Sequence, residues 1–306
     1  MKAFDQAAEL RSIMGVRRRP TAIGRCRVIA ISSGKGGVGK TNLTINLALL
    51  LTRLGRRVVV FDGDLGLANV DVALGIMPRY TLRDVVIGTR TMAEVLHQAP
   101  GGFWIVPGAS GIEEMTSLST DDRAMLIESL RELGELADVI LIDTGAGVGA
   151  EVSSLVSAAP EVIVVTTPEP TAITDAYALI KVAVRGQVPG NDAQTRISLV
   201  VNQANSVGEA TDVARKIALV AREFLNVDVR MLGHIPEDPA VTRAIRKQAP
   251  VALAYPDSPA VRAMATIARR LVETSGQLDG TKSSIMGFLN RVAERGLPAT
   301  SVRRVP

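Results

Sequence analysis

Apolar positions along the chain follow two patterns that take turns. Short unbroken runs such as Val28-Ile29-Ala30-Ile31 and Val58-Val59-Val60-Phe61 have the length and β-branching of strands buried on both faces. The runs at 138–143, 161–166 and 196–201 read the same way. Two shorter strands are expected, one within 101–108 and one at 229–233. Between the runs lie stretches of helical period: an amphipathic helix over 42–54 ending at Gly55, then 171–185, 208–225, 239–248 and 258–275. Residues 82–97 read as mixed helical. Residues 121–136 read as a helix capped by Ser119 or Thr120, with Met125, Leu126, Leu130 and Leu133 as its apolar stripe. Strands alternating with helices predict an α/β fold with a doubly wound, mostly parallel sheet. No internal repeat is present.

Composition narrows the picture. In 306 residues, 47% are hydrophobic and only 3% aromatic, so the core must be aliphatic. The net charge of +4 is concentrated in local runs, Arg17-Arg18-Arg19, Arg25 with Arg27, and Arg303-Arg304. Such runs suit a solvated tail by default, with nucleic acid or an anionic membrane as the minority reading. Cys26 is the single cysteine and His97 and His234 the only histidines, which excludes a disulfide framework and Cys- or His-rich metal sites within one chain. His234 is too isolated for a catalyst. No apolar run reaches a membrane span, and the N-terminus lacks a signal peptide's apolar region. The expected location is the cytoplasm, with any membrane contact peripheral.

Three regions follow. Residues 1–27 hold a short helix with Phe4, Ala7, Leu10, Ile13 and Met14 on one side, then a basic linker ending near Pro20. Residues 28–275 form the α/β domain. Residues 276–306 hold a second amphipathic helix over 282–295, where Ile285, Phe288, Leu289 and Val292 share a face flanked by Lys282, Arg291 and Arg295. Two readings fit that face: a membrane interface, or the protein's own core. Residues 298–306 are expected to be disordered.

The chemistry centres on Gly34-Lys35-Gly36-Gly37-Val38-Gly39-Lys40-Thr41, set between the first strand and the first helix. That context makes the G-x-x-x-x-G-K-[ST] match a phosphate loop. Its glycines free the backbone, its N–H groups converge on phosphate oxygens at the helix N-terminus, Lys40 meets the β- and γ-phosphates, and Thr41 ligates Mg²⁺. Asp62 and Asp64 stand two apart at the end of the second strand, on one side. Facing a phosphate site, one serves Mg²⁺ and the other orients the attacking water. Asp143 ends a hydrophobic strand, the Walker B pattern, and Gly145 and Gly147 give the following loop freedom to act as a switch. Asn202 closes another strand, where an amide either reads the adenine edge or caps a turn.

Lys35, a second lysine just after the first loop glycine, is the residue that goes beyond a generic phosphate loop. The run Gly34–Thr41 resembles the deviant Walker A loop of the MinD/ParA family of P-loop ATPases, over roughly residues 28–275. The run Asp62-Gly63-Asp64-Leu65-Gly66-Leu67-Ala68-Asn69-Val70-Asp71 is similar to the FlhG (FleN) branch, which limits flagellar number; MinD proper usually has Arg where Ala68 stands. Asp5-Gln6-Ala7-Ala8-Glu9-Leu10-Arg11 resembles that branch's N-terminal element, which engages and stimulates the signal-recognition-type GTPase FlhF. Asp143-Thr144-Gly145-Ala146-Gly147 departs slightly from the family's D-x-x-A/P-G.

The resemblance implies a slow ATPase with ATP and Mg²⁺ as cofactors. By position, Gly34, Lys35, Gly36, Gly37, Val38, Gly39, Lys40 and Thr41 hold the nucleotide, with Asn202 at adenine and Pro236 and Glu237 in a further contacting loop. Thr41, Asp62 and Asp143 serve the metal. Asp64 orients water, and Lys35 reaches across an ATP-sandwiched homodimer to the partner's nucleotide. The implied partners are a second copy, FlhF through residues 5–11, an anionic membrane through 282–295, and a flagellar transcription regulator or basal-body protein. The alternatives are a MinD-type division-site ATPase and a ParA-type DNA-partitioning ATPase. The amphipathic tail speaks against DNA, and the lack of a C-x-x-C pair against a metal-cluster carrier.

Overall fold

The aliphatic runs pair side by side into one eight-stranded sheet, in the order β3-β4-β2-β5-β1-β6-β7-β8. The computed structural model describes residues 26–64, 69–108, 128–131, 133–134, 136–185 and 195–274, together with Met14, Ile285, Gly287, Phe288 and Arg291. The strands are β1 (Arg27–Ser33), β2 (Val58–Gly63), β3 (His97–Gln98), β4 (Trp104–Val106), β5 (Val139–Ala146), β6 (Glu161–Thr166), β7 (Arg196–Ala204) and β8 (Val229–Pro236). Every pairing is parallel except the short antiparallel β3–β4 edge. The doubly wound sheet expected from the sequence is what forms.

Period-2 alternation sends each strand's side chains to two different cores. Val28, Ala30, Ile140, Ile142, Val162 and Val164 face one layer; Ile29, Ile31, Val139, Leu141, Ile163 and Val165 face the other. The first layer is covered by α5 (Ala150–Ala158), α6 (Pro170–Ala183) and α7 (Val207–Leu225). The second is covered by α1 (Lys40–Arg53), α8 (Pro239–Arg246), α9 (Val251–Ala254) and α10 (Pro259–Glu273). Three short helices, α2 (Val70–Leu74), α3 (Leu82–Val86) and α4 (Met92–Val95), connect β2 to β3.

Several elements differ from the sequence expectation. α1 is not amphipathic: Leu43, Ile45, Leu47, Ala48, Leu49, Leu50 and Leu51 are all buried, so the helix lies between the sheet and α10. Each large side chain there contributes about 1.5–3 kcal/mol of burial. His97 is in a strand rather than a helix. β5 runs three residues past Asp143, because Thr144 pairs with Gly63 of β2 and Ala146 with Ser33 of β1. β8 runs through His234 and Ile235 to Pro236; proline is tolerated because it ends an edge strand. α2, α5, α9 and β3 were not expected at all.

Cross-chain polar ties fix the layers. Asp238 caps two helices at once, its Oδ1 accepting from Ala240 N (2.8 Å) at the start of α8 and its Oδ2 from Ala260 N (3.1 Å) at the start of α10. Burial opposes its ionisation, but these amides outweigh it and hold the carboxyl below its usual range. Buried Asn46 of α1 accepts from Ala252 N (2.9 Å), which joins α9 to the loop helix. Arg57 donates to Asp138 through its backbone N–H and its guanidinium, clamping the starts of β2 and β5 together.

Residues 128–131, 133–134 and 136 are helical, as expected for the end of the 121–136 stretch. A Cβ added at Gly134 would sit 2.3 Å from Ile285 Cγ2, so the backbone and that side chain are in direct contact. Ile285 and Phe288 are buried in the first core, and Arg291 Nε donates to Ala158 O (2.7 Å). Of the two readings left open for 282–295, the described side chains follow the docked one. The helix expected over residues 4–14, apart from Met14, most of the linker after it, residues 65–68 and most of 276–306 lie outside the described residues.

At the far end of the sheet, buried Arg27 of β1 donates Nε and Nη2 to Glu161 of β6 (2.9 and 2.7 Å) and Nη1 to Leu271 O of α10. Removing one member strands a buried charge. Glu161→Ala is expected to lower unfolding free energy in urea titrations by about 3 kcal/mol, and Arg27→Met with Glu161→Leu to recover most of it.

Candidate functional site

β1 delivers the loop at residues 34–39 to the N-terminus of α1. Gly39 precedes the helix with φ 88°, a conformation that a side chain would strain, and a Cβ there would lie 2.4 Å from Asn202 Nδ2. Gly34 is equally constrained: its Cβ would meet the Asp175 backbone at 2.2 Å. Gly36 and Gly37 are exposed and a Cβ on either would meet nothing within 4 Å. The loop is thus pinned at both ends and open in the middle, with unpaired helix amides and the positive end of the α1 dipole behind it.

The two lysines part company. Lys40 is buried, and its Nζ donates to Asp143 Oδ1 (3.0 Å). Lys35 points to the surface, where Nζ pairs with Glu169 and lies 3.4 Å from Thr171 Oγ1, both at the start of α6. Thr41 donates to Asp143 Oδ2 (2.7 Å), and Thr44, one turn further along α1, lies 3.0 Å from Asp143 Oδ1. Asp143 is fully buried. Burial pushes its carboxyl above the ordinary range, opposed by the Lys40 ammonium and by the Thr41, Lys40 and Thr44 donors.

Asp62 stands opposite Asp143 in the β2–β5 register. Its Oδ1 accepts from Asp64 N (3.2 Å), and its Oδ2 from Asn69 N (3.1 Å) and Val70 N (3.2 Å). Burial, reinforced by the neighbouring Asp143 charge, raises its pKa to about 7 despite those amides. Asp64 lies just past β2, half-buried, with Oδ2 accepting from Asn69 Nδ2 (2.8 Å) and Oδ1 beside Gly145. Thr144 Oγ1 lies 2.8 Å from Ser32 Oγ, and Gly147 N donates to Ser33 O (2.8 Å), so the strand after Asp143 is tied to the loop strand.

Asn202 of β7 donates Nδ2 to Val38 O (2.8 Å). Its amide therefore clasps the loop itself, beside Gln203, whose φ of 57° is rare for a residue with a side chain. Pro236 pairs with Ala204, and exposed Glu237 follows it with its N–H directed at Ala204 O (3.4 Å). The structure thus gathers Gly34–Thr41, Asp62, Asp64 and Asp143 at one end of the sheet, with Asn202 against the loop. Thr44, Asn69, Glu169 and Thr171 were not read from the sequence. Thr44 had a signal there, since it shares a helix face with Lys40 at i, i+4, and Asn69 stands in the run at 62–71 without a role of its own.

Two carboxylates and a hydroxyl are hard oxygen donors, suited to Mg²⁺. They fall short of an all-protein cage, and a cation held largely by nucleotide phosphates and water needs no more. The open amide cradle at Gly36 and Gly37 fits a polyphosphate. Among the described residues, no helix is long and apolar enough to cross a membrane.

Residues 29–251 match the CobQ/CobB/MinD/ParA nucleotide binding domain. The chain is similar to the antiactivator FleN of Pseudomonas aeruginosa, 45% identical over 245 residues that cover 80% of this chain and 86% of that protein. It is 31% identical to the flagellum site-determining protein YlxH of Helicobacter pylori over 296 residues, 94% of this chain and 98% of that one. In structure it resembles the septum site-determining protein MinD of Pyrococcus horikoshii complexed with Mg-ADP. The TM-score is 0.65 at 29% identity, covering 82% of this chain and 98% of that one.

Because Asp62 binds its proton more tightly folded than unfolded, its contribution to stability is full below about pH 4 and is lost as pH rises to about 7. The slope is about 1.4 kcal/mol per pH unit. Asp62→Asn removes this linkage. In EDTA without nucleotide, its denaturation midpoint is expected to exceed that of the parent at pH 8 and to lose that advantage by pH 4.

Proposed function

Since the chain belongs to the CobQ/CobB/MinD/ParA family and is an ATPase of its MinD/ParA type, we propose that it is an ATP-dependent dimerising switch that sets flagellar number or placement. The observation that carries this reading is the divergence of the two loop lysines. Lys40 is buried in the cradle and bonded to Asp143, while Lys35 stands outside it at the surface. A lysine inside the phosphate loop whose ammonium lies outside its own cradle supports a role at a nucleotide held by a second copy. The likeness to FleN and to a flagellum site-determining protein supports the flagellar assignment.

In this reading ATP binds with its phosphates on the amides of Gly34–Thr41. Lys40 would pass from Asp143 to the β- and γ-phosphates, and Thr41, Asp62 and Asp143 would hold Mg²⁺. Bound Mg²⁺ neutralises phosphate charge and templates the transferring group. Asp64, steadied by Asn69, orients the attacking water. Asn202 and the loop at Pro236 and Glu237 border the base. Positioning and electrostatics, without a covalent step, carry phosphoryl transfer. Dimerisation then passes the signal on. Residues 5–11 engage and stimulate the GTPase FlhF, a transcription regulator or basal-body protein reads the dimer, and residues 282–295 anchor it peripherally at the inner face of the cell membrane. Ile285 and Phe288 are buried, so this last step requires their face to leave the core.

Lys40→Ala is expected to weaken ATP binding at least tenfold by equilibrium dialysis. Lys35→Ala should keep wild-type ATP binding but remain monomeric in light scattering with ATP and Mg²⁺, in an Asp64→Ala background that blocks turnover. A dimer that forms equally well without Lys35 defeats the proposal. Deleting residues 1–13 should abolish stimulation of FlhF and leave ATP-driven dimerisation intact.

A further inference from the structure

We propose that Thr44 is a positioning residue for Asp143, holding that carboxylate in place for the Mg²⁺-dependent step of nucleotide binding; this rests on the nucleotide reading above. Three donors from one turn of α1 reach Asp143: Lys40 and Thr44 at Oδ1, both at 3.0 Å, and Thr41 at Oδ2, at 2.7 Å. Nucleotide recruits two of them. A phosphate competes for the Lys40 ammonium, and the metal for the Thr41 hydroxyl. Thr44 has no such rival. It is fully buried, a turn below the open glycines, and no phosphate can approach it.

Its hydroxyl carries one proton and faces two acceptors, Asp143 Oδ1 and Lys40 O, the latter at 3.1 Å. The carboxylate is the stronger acceptor, and a hydrogen bond to a charged group is worth roughly twice a neutral one. Thr44 therefore keeps Oδ1 fixed while the other donors are engaged elsewhere. This leaves Oδ2 directed at the metal's shell. Partners of this kind around metal-binding groups typically change metal affinity 10–100-fold when removed.

The test measures mant-ADP binding by fluorescence across a Mg²⁺ titration and in EDTA, on the full chain. Thr44→Val, which keeps the shape and deletes the hydroxyl, is expected to raise the Mg²⁺ concentration for half-maximal tight binding about tenfold. Affinity in EDTA should stay within about twofold, and Thr44→Ser, which keeps the hydroxyl, should match the parent. If Thr44→Val does not fold, Thr44→Ala against Thr44→Ser poses the same question, since both lack the methyl and differ in the hydroxyl. A lower melting temperature with unchanged Mg²⁺ dependence, or equal losses in the hydroxyl-bearing and hydroxyl-free variants, overturns the proposal. A parent protein that bound no mant-ADP, with or without Mg²⁺, would instead undo the nucleotide reading, and one whose binding ignored Mg²⁺ would overturn the role given to Asp143 and with it this proposal.

Discussion

A carboxylate taken out of water needs donors to offset its lost hydration, and Asp143 draws three from a single helical turn. That interaction ties the loop helix α1 to the centre of the sheet. It fixes where the loop begins, how α1 enters the second core and which way the Lys40 side chain runs. It also brings Asp62 within reach of a second negative charge, because β2 and β5 are neighbours in register. The electrostatic character of the site follows from this adjacency: two acids that repel, separated by backbone amides and answered by one ammonium group.

The sheet order makes that adjacency possible. β1 sits between β5 and β6, and β2 lies on the far side of β5, so the loop, both strand-end acids and Asn202 emerge at the same edge. Ligands of open parallel sheets gather at the carboxyl ends of strands where the winding direction changes. Here the change falls around β1. The helices on one face, α5, α6 and α7, come from the middle of the chain, and those on the other from its two ends, α1 packing against α10 beside α8 and α9. The core and the site are therefore built from the same helix, which turns Lys40, Thr41 and Thr44 to Asp143 and buries Leu43, Ile45, Leu47 and Leu49 to Leu51 in the second core.

Much of this was legible in the chain. Continuous aliphatic runs, turn signals and the glycine loop locate seven strands, α1 and the three acids, because each of these is a local pattern. What stayed hidden depends on contacts distant in sequence. Glu169 meets Lys35 across 134 positions, and no local pattern records that. Thr144 and Gly145 look like loop residues; they belong to β5 because β1 and β2 flank them on both sides. Pro236 looks like a strand terminator, yet an edge position removes the penalty. The bond from Asn202 to Val38 of the loop spans 164 positions, and no local pattern records that either. The short α5 had too few residues for its period to stand out.

Asp238 has one more consequence. A single carboxylate receives the first amides of two helices and sits one residue beyond Glu237. Neither helix can tilt without pulling on the other. The end of β8 and the first turns of α8 and α10 are thereby joined through one side chain, so a change in the backbone at residue 238 reaches both helices at once.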